Sequence, residues 1–111
     1  FEVYQASKKF HRNIIQLTRN FPRECYSLVD QVRRSSLSIT LNIAEGSAKK
    51  SDKDFNKYIE IALGSVNETV AGLDIAHSNG LIDQILLTSL MKEAESIAKQ
   101  LGGFSKKLRE S

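Results

Sequence analysis

Apolar side chains recur at three- and four-residue steps through four successive segments of this chain, and the breaks between segments are only a few residues long. That period belongs to amphipathic helices. Helices of similar length joined by short connections bury their stripes most simply as an antiparallel, up-down-up-down four-helix bundle. One segment constrains the architecture further. Around Gln31–Gly46, QVRRSSLSITLNIAEG, a rotation of about 100° per residue puts Leu28, Val32, Ser35, Ile39, Asn42 and Gly46 on one side. The same rotation puts Tyr26, Leu37, Leu41 and Ala44 on the other, whereas a helix at the edge of a lone bundle needs only one stripe.

The first helix is expected over residues 2–19, with Val3, Ala6, Phe10, Ile14 and Leu17 on its core face and Lys8, Arg12 and Arg19 opposite. Pro22 disfavours helical geometry at Phe21 yet suits the first turn of the next helix, so a second helix is read over 23–46. Ser51 is a plausible N-cap with Asp52 and Asp54 at the positive helix end. It opens a third helix over 52–78, about 40 Å long, on the stripe Phe55, Ile59, Ala62, Val66, Thr69, Leu73 and Ala76, and Asn79-Gly80 ends it. Asp83 caps a fourth helix over 84–108, carried by Leu86, Leu87, Leu90, Ala94, Ile97, Leu101, Phe104 and Leu108. Gly102-Gly103 should weaken its last turns. No strand pattern or internal repeat competes with this all-α reading, and 111 residues make one domain, 1–111.

Composition narrows the setting. A single cysteine, Cys25, forms no internal disulfide, which makes the cytoplasm the default compartment. No apolar run reaches the roughly 18 residues that cross a bilayer, so no membrane partner is expected. No basic-then-apolar leader opens the sequence, and Phe1 in place of Met predicts that a few residues precede it. Sixteen Lys and Arg against thirteen Asp and Glu, with a pI near 9.1, permit nucleic-acid contact without requiring it.

The third helix also carries a second face, of Ile61, Gly64, Ala71, Gly72 and Ile75. Small residues let backbones approach closely, so this face and that of Tyr26, Leu37, Leu41 and Ala44 suit packing between copies of the chain. The bland alternative is that they fill a wide intramolecular face or stand exposed singly, as is normal on surfaces. Glu68 interrupts the face and needs a partner if covered. The expectation is that Arg33 or Arg34 pairs with Glu68 or Glu45 across or beside the contact.

Phe21 to Gly46 read FPREXYSLXXQXRRXSXSIXXNIAEG with the variable positions set aside. The third helix adds Ser51-Asp52-Lys53-Asp54-Phe55-Asn56-Lys57-Tyr58-Ile59, then Ile61-Ala62-Leu63-Gly64-Ser65 and Glu68. Together these blocks resemble the 23S rRNA intervening-sequence protein family, strongly through the second and third helices and weakly at both ends. Cys25 departs from the pattern and reads as a small packing residue at the turn. The resemblance implies a homopentamer of up-down four-helix bundles, found in bacteria and sometimes encoded within insertions in ribosomal RNA genes. It implies no catalytic activity. Related accessory proteins of diversity-generating retroelements share the bundle and the pentamer and are taken to bind nucleic acid and a reverse transcriptase, which is an analogy of fold.

A search for chemistry yields little. Asp74-Ile75-Ala76-His77 imitates half of a bundle di-metal motif without a second copy, and His11 has no carboxylate at matching spacing, so neither a metal nor another cofactor is expected. Cys25 has no histidine nearby in sequence, and neither Gly102-Gly103 nor Glu45-Gly46-Ser47 makes a phosphate loop. An enzyme with a small-molecule substrate is therefore the less favoured class. Basic residues are the remaining signal: Lys92, Lys99 and Lys106 recur at about 10 Å intervals along one line, extended by Lys107 and Arg109. Lys8, Arg12 and Arg19 form a comparable line, and Lys49, Lys50, Lys53 and Lys57 cluster at the second loop. In a monomer such lines are usually solvated faces; in a ring each is repeated, and RNA or DNA phosphates could be bound without sequence preference. No aromatic platform accompanies them in sequence. The favoured reading is a noncatalytic homo-oligomeric bundle that contacts nucleic acid as an accessory or scaffold. The alternative is a protein–protein assembly module with no nucleic-acid binding.

Overall fold

The computed structural model describes residues 1–111. It consists of α1 (Glu2–Thr18), a 3-10 turn (Arg23–Cys25), α2 (Tyr26–Ser47), α3 (Asp52–Ser78) and α4 (Gln84–Glu110), with no strand. The directions of the helices follow from their side-chain bonds. Ser7 and His11 of α1 bond Thr40 and Ser36 of α2, so α1 ascends as α2 descends. Ser35 and Ser38 of α2 bond Thr69 and Ser65 of α3 in the same reversed order. Phe1 meets Phe104 and Asn13 meets Glu93, which closes α1 onto α4. The result is an up-down-up-down bundle of 46 × 22 × 19 Å.

Each boundary has a local cause. Pro22, at φ −55° and ψ 146°, turns the chain into the 3-10 turn, so α2 begins at Tyr26, three residues after the expected start, and runs on to Ser47. The Ser51 hydroxyl accepts from the Asp54 amide at 3.1 Å and the Asp83 carboxylate from the Leu86 amide at 2.8 Å; both expected caps are present. α3 closes in a Schellman motif, with Gly80 at φ +75° and the Leu81 amide donating to the Ala76 carbonyl. Gly102-Gly103, expected to weaken the last turns of α4, leave the helix continuous to Glu110, two residues past its expected end. Tertiary anchors on either side explain this: Leu101 is buried, Phe104 stacks edge-on against Phe55 at 4.9 Å, and Ser105 bonds Asn56. They outweigh a glycine cost of about 1 kcal/mol each.

The core is mostly aliphatic, with Ile14, Ile39, Ile43, Ile59, Leu73, Ile97 and Leu101 packed around the single buried aromatic ring of Phe10. α2 lies between α1 and α3, so its buried arc is wider than one stripe and takes in Ser36, Thr40 and Ile43 beside Ile39. Hydroxyl pairs stitch its two flanks: Ser7 Oγ to Thr40 Oγ1 at 2.9 Å, Ser35 Oγ to Thr69 Oγ1 at 2.7 Å, and Ser38 Oγ to Ser65 Oγ at 2.8 Å. Each bond contributes only about 1 kcal/mol net, but leaving such a group buried and unpaired costs about 1–3 kcal/mol. No buried side-chain nitrogen or oxygen is left without a partner. Gly72, expected on the second face of α3, is buried against α2 instead, because a β-carbon there would collide with Val32 Cγ1.

Candidate functional site

Basic charge concentrates on one side of the bundle and a row of exposed aliphatic groups on the other, with Ile85 and Leu86 in the first turn of α4 as further exposed aliphatic residues. α1 and α4 pack side by side and together carry eight Lys and Arg against four Asp and Glu; α2 and α3 carry four against seven. Two of the α4 acids are already engaged, Glu93 by the Asn13 amide at 2.9 and 3.1 Å and Glu95 by Lys99 at 3.3 Å. The groove between α1 and α4 brings Lys92 next to Lys9, and Lys99 and Lys107 beside Phe1 and Glu2. Lys106 and Arg109 are exposed on the same helix.

The basic residues expected on α1 divide between two places. Lys8 lies over the Tyr4 ring at 5.5 Å, away from the α4 lysines, and it is Lys9 that shares their groove. Arg12 is exposed between these flanks, and Arg19 opens onto a separate groove at the α1–α2 turn. At the second loop Lys50 and Lys53 are exposed, while Lys49 pairs with Glu45 at 3.4 Å and sits 5.1 Å from the centre of the Tyr58 ring. Tyr58 first and Glu45 second raise the Lys49 pKa above its ordinary value.

The opposite side, formed by α2 and α3, exposes aliphatic side chains. Leu37, Leu41, Ile61 and Ile75 are 41%, 56%, 43% and 49% accessible in the isolated chain. The Ser38–Ser65 bond sits among them, one helical turn from Leu41 on α2 and from Ile61 and Glu68 on α3. Gly64 and Ala71 are exposed on the same side of α3, and a β-carbon on Gly64 would meet nothing within 4 Å. Ala44 turns elsewhere, lining an apolar cleft of about 420 Å³ with Phe1, Tyr4, Ile43 and Phe55. Within one chain the expected pairing of Arg33 or Arg34 with Glu68 or Glu45 does not form. Arg34 reaches Asp30 at 3.7 Å, Glu45 takes Lys49, and Arg33 Nε donates to Thr18 Oγ1 at 2.8 Å. Both ion pairs join residues four apart in sequence, Arg34 with Asp30 within α2 and Lys49, in the loop just past α2, with Glu45 in its last turn, so neither crosses between helices. Glu68 stays exposed.

Two features of the molecule were not legible in sequence. One is a groove of about 700 Å³ at the α1–α2 turn, where Arg19, Arg23, Tyr26 and Arg33 come together from α1's end, the 3-10 turn and α2. The other is a serine–histidine contact, Ser36 Oγ to His11 Nδ1 at 2.9 Å. Burial, and after it the nearby Arg33 charge, lower the His11 pKa. Ser36 has no accessible surface, so its oxygen meets no substrate, and the pair serves packing between α1 and α2. No three His, Cys, Asp or Glu side chains cluster to hold a metal ion, and no helix is long and apolar enough to cross a membrane.

The molecule belongs to the class of all-α, up-down four-helix bundles, with its α1–α2 and α2–α3 contacts matched by hydroxyl pairs. More specifically, residues 1–103 match the family described as 23S rRNA-intervening sequence protein, and the chain belongs to that family. Among solved structures it is similar to a protein of unknown function from the S23 ribosomal protein family of Bacteroides thetaiotaomicron VPI-5482. The identity is 27%, the TM-score 0.86, and the match covers 94% of this chain and 98% of that one. No curated protein matches the chain.

Proposed function

We propose that this chain is a noncatalytic, homo-oligomeric bundle that contacts RNA or DNA through its α1–α4 flank, as a cytoplasmic accessory or scaffold protein. The observation that carries the reading is the concentration of eight basic against four acidic residues on α1 and α4, while Leu37, Leu41, Ile61 and Ile75 are exposed together on α2 and α3 and only Ile85 and Leu86, in the first turn of α4, are exposed aliphatic residues on the basic pair. Copies that associate through Leu41, Ile61 and Ile75 leave Lys9, Lys92, Lys99 and Lys107 facing out. Repeating that flank around a ring raises its potential over several subunits and favours phosphate over any neutral partner. Five copies, the number the family resemblance implies, would weigh about 62 kDa from a 12.4 kDa chain.

Filter binding with mixed RNA and DNA across a salt series, alongside sedimentation, tests both halves. Affinity is expected to fall with salt at a slope of roughly 0.7–0.9 per phosphate contacted, and to collapse on charge reversal at Lys92, Lys99 and Lys106. Replacing Leu41 and Ile61 by glutamine should yield folded monomers. Binding that ignores salt would refute the nucleic-acid half, and a wild-type protein sedimenting as a monomer at micromolar concentration would refute the assembly half.

A further inference from the structure

The groove at the α1–α2 turn holds three guanidiniums, those of Arg19, Arg23 and Arg33, around one exposed aromatic ring, Tyr26, which is 73% accessible. None of the three has a carboxylate within ion-pair distance. Asp30, the one acid lining the groove, is occupied by Arg34 at 3.7 Å. Arg33 is pre-oriented: its Nε donates to Thr18 Oγ1 at 2.8 Å, and that hydroxyl in turn donates to the Ile14 carbonyl at 2.8 Å. Both terminal nitrogens of Arg33 are left free for another acceptor.

This combination differs in kind from the lysine-rich α1–α4 flank. Lysines meet phosphates as point charges, whereas guanidiniums grip them through paired planar N–H donors. An exposed tyrosine beside such a grip offers its face to an unpaired base, and a duplex has no base free to take it. Resting on the nucleic-acid reading above, we propose that this groove is a single-strand site, in which Arg19, Arg23 and Arg33 hold consecutive phosphates and a base stacks on Tyr26. The α1–α4 flank attracts nucleic acid of any form; the groove selects the single-stranded form.

The test uses the full chain, a short fluorescein-labelled single-stranded RNA, and the same sequence annealed as a duplex, followed by anisotropy across a salt series. Arg19, Arg23 and Tyr26 make no side-chain hydrogen bond or ion pair within the chain, so variants at these positions keep the fold, with circular dichroism as the check. Tyr26→Ala should weaken single-strand binding by about 5-fold to 150-fold, the range for loss of one stacked base, with little effect on the duplex, and Tyr26→Phe should restore it. The pair Arg19→Gln and Arg23→Gln should flatten the single-strand salt dependence by roughly 0.7 per contact removed. Equal losses for single strand and duplex on Tyr26→Ala would overturn the proposal. So would unchanged single-strand binding in a variant lacking all three side chains, or dissociation of the oligomer by Tyr26→Ala, which would make the ring an interface residue. Failure of the wild type to bind either form would instead remove the broader reading on which the groove depends.

Discussion

Gly72 is where a single methyl group tests how closely α2 and α3 approach. A β-carbon at this position collides with Cγ1 of Val32, and Val32 has nowhere to move, being β-branched, stiff about χ1, and only 3% accessible. Two effects of Gly72→Ala oppose each other. Alanine gains about 1 kcal/mol of helix propensity over glycine, while overpacking a close-packed interface costs about 1–3 kcal/mol. With the nearest atom well inside van der Waals contact, the upper end of that range applies, and the net loss is about 2 kcal/mol. Val32→Ala removes the obstructing methyls at a transfer cost of about 1.6 kcal/mol, and the double variant should recover at least about 1 kcal/mol relative to the sum of the single losses. Urea unfolding at fixed protein concentration measures all four corners of the cycle; fixing the concentration matters because association adds to apparent stability. A Gly72→Ala protein as stable as the parent, or single losses that simply add in the double variant, would refute the close approach.

Two further outcomes rest on named contacts. Because its folded pKa is depressed below the ordinary 6.5, His11 contributes stability that is complete above pH 6.5 and is lost as pH falls through the depressed value. Denaturation midpoints should therefore drop on acidification from pH 7.5 to about 5, above the range where carboxylates titrate, and His11→Gln should remove part of that drop; an identical pH slope in the variant would count against it. Asp83→Ala removes the acceptor for the Leu86 amide and should cost about 1 kcal/mol, visible as a melting temperature lower by about 4–8 °C.

Much of the fold was legible because periodicity and caps are local. The α3 stripe from Ile59 to Ala76 is buried as its spacing predicts, and Ser51, Asp83 and Gly80 punctuate the chain where their chemistry places them. The hydroxyl pairs were not, since Ser7, Ser35 and Thr40 look like ordinary polar residues until a neighbouring helix covers them. Gly72 sits at the border between the inner and outer faces of α3, and only the neighbouring Val32 decides which it joins. Lys9, which the line of Lys8, Arg12 and Arg19 leaves out, is the α1 lysine beside Lys92 for a topological reason: periodicity defines a line on α1 but not which side of that line α4 occupies. The arginine groove gathers residues from three separate elements, so no spacing rule along the chain announces it.

The paired oxygens along α2 also govern which partner helices it accepts. Slipping α2 by one turn, about 5.4 Å, would bring Ser35 opposite Ser65 or Ser38 opposite Thr69, because each set of partners is itself a turn apart, and would leave the other two oxygens on that flank unmatched. Each hydroxyl left buried and unpaired costs about 1–3 kcal/mol, so the observed register is favoured over the slipped one. A helix carrying serine or threonine at the same steps meets this row of oxygens with matching bonds, whereas one lacking them leaves the α2 hydroxyls to their own helix's carbonyls, as Ser35 already bonds that of Val32, so the interior favours a neighbour of matching pattern.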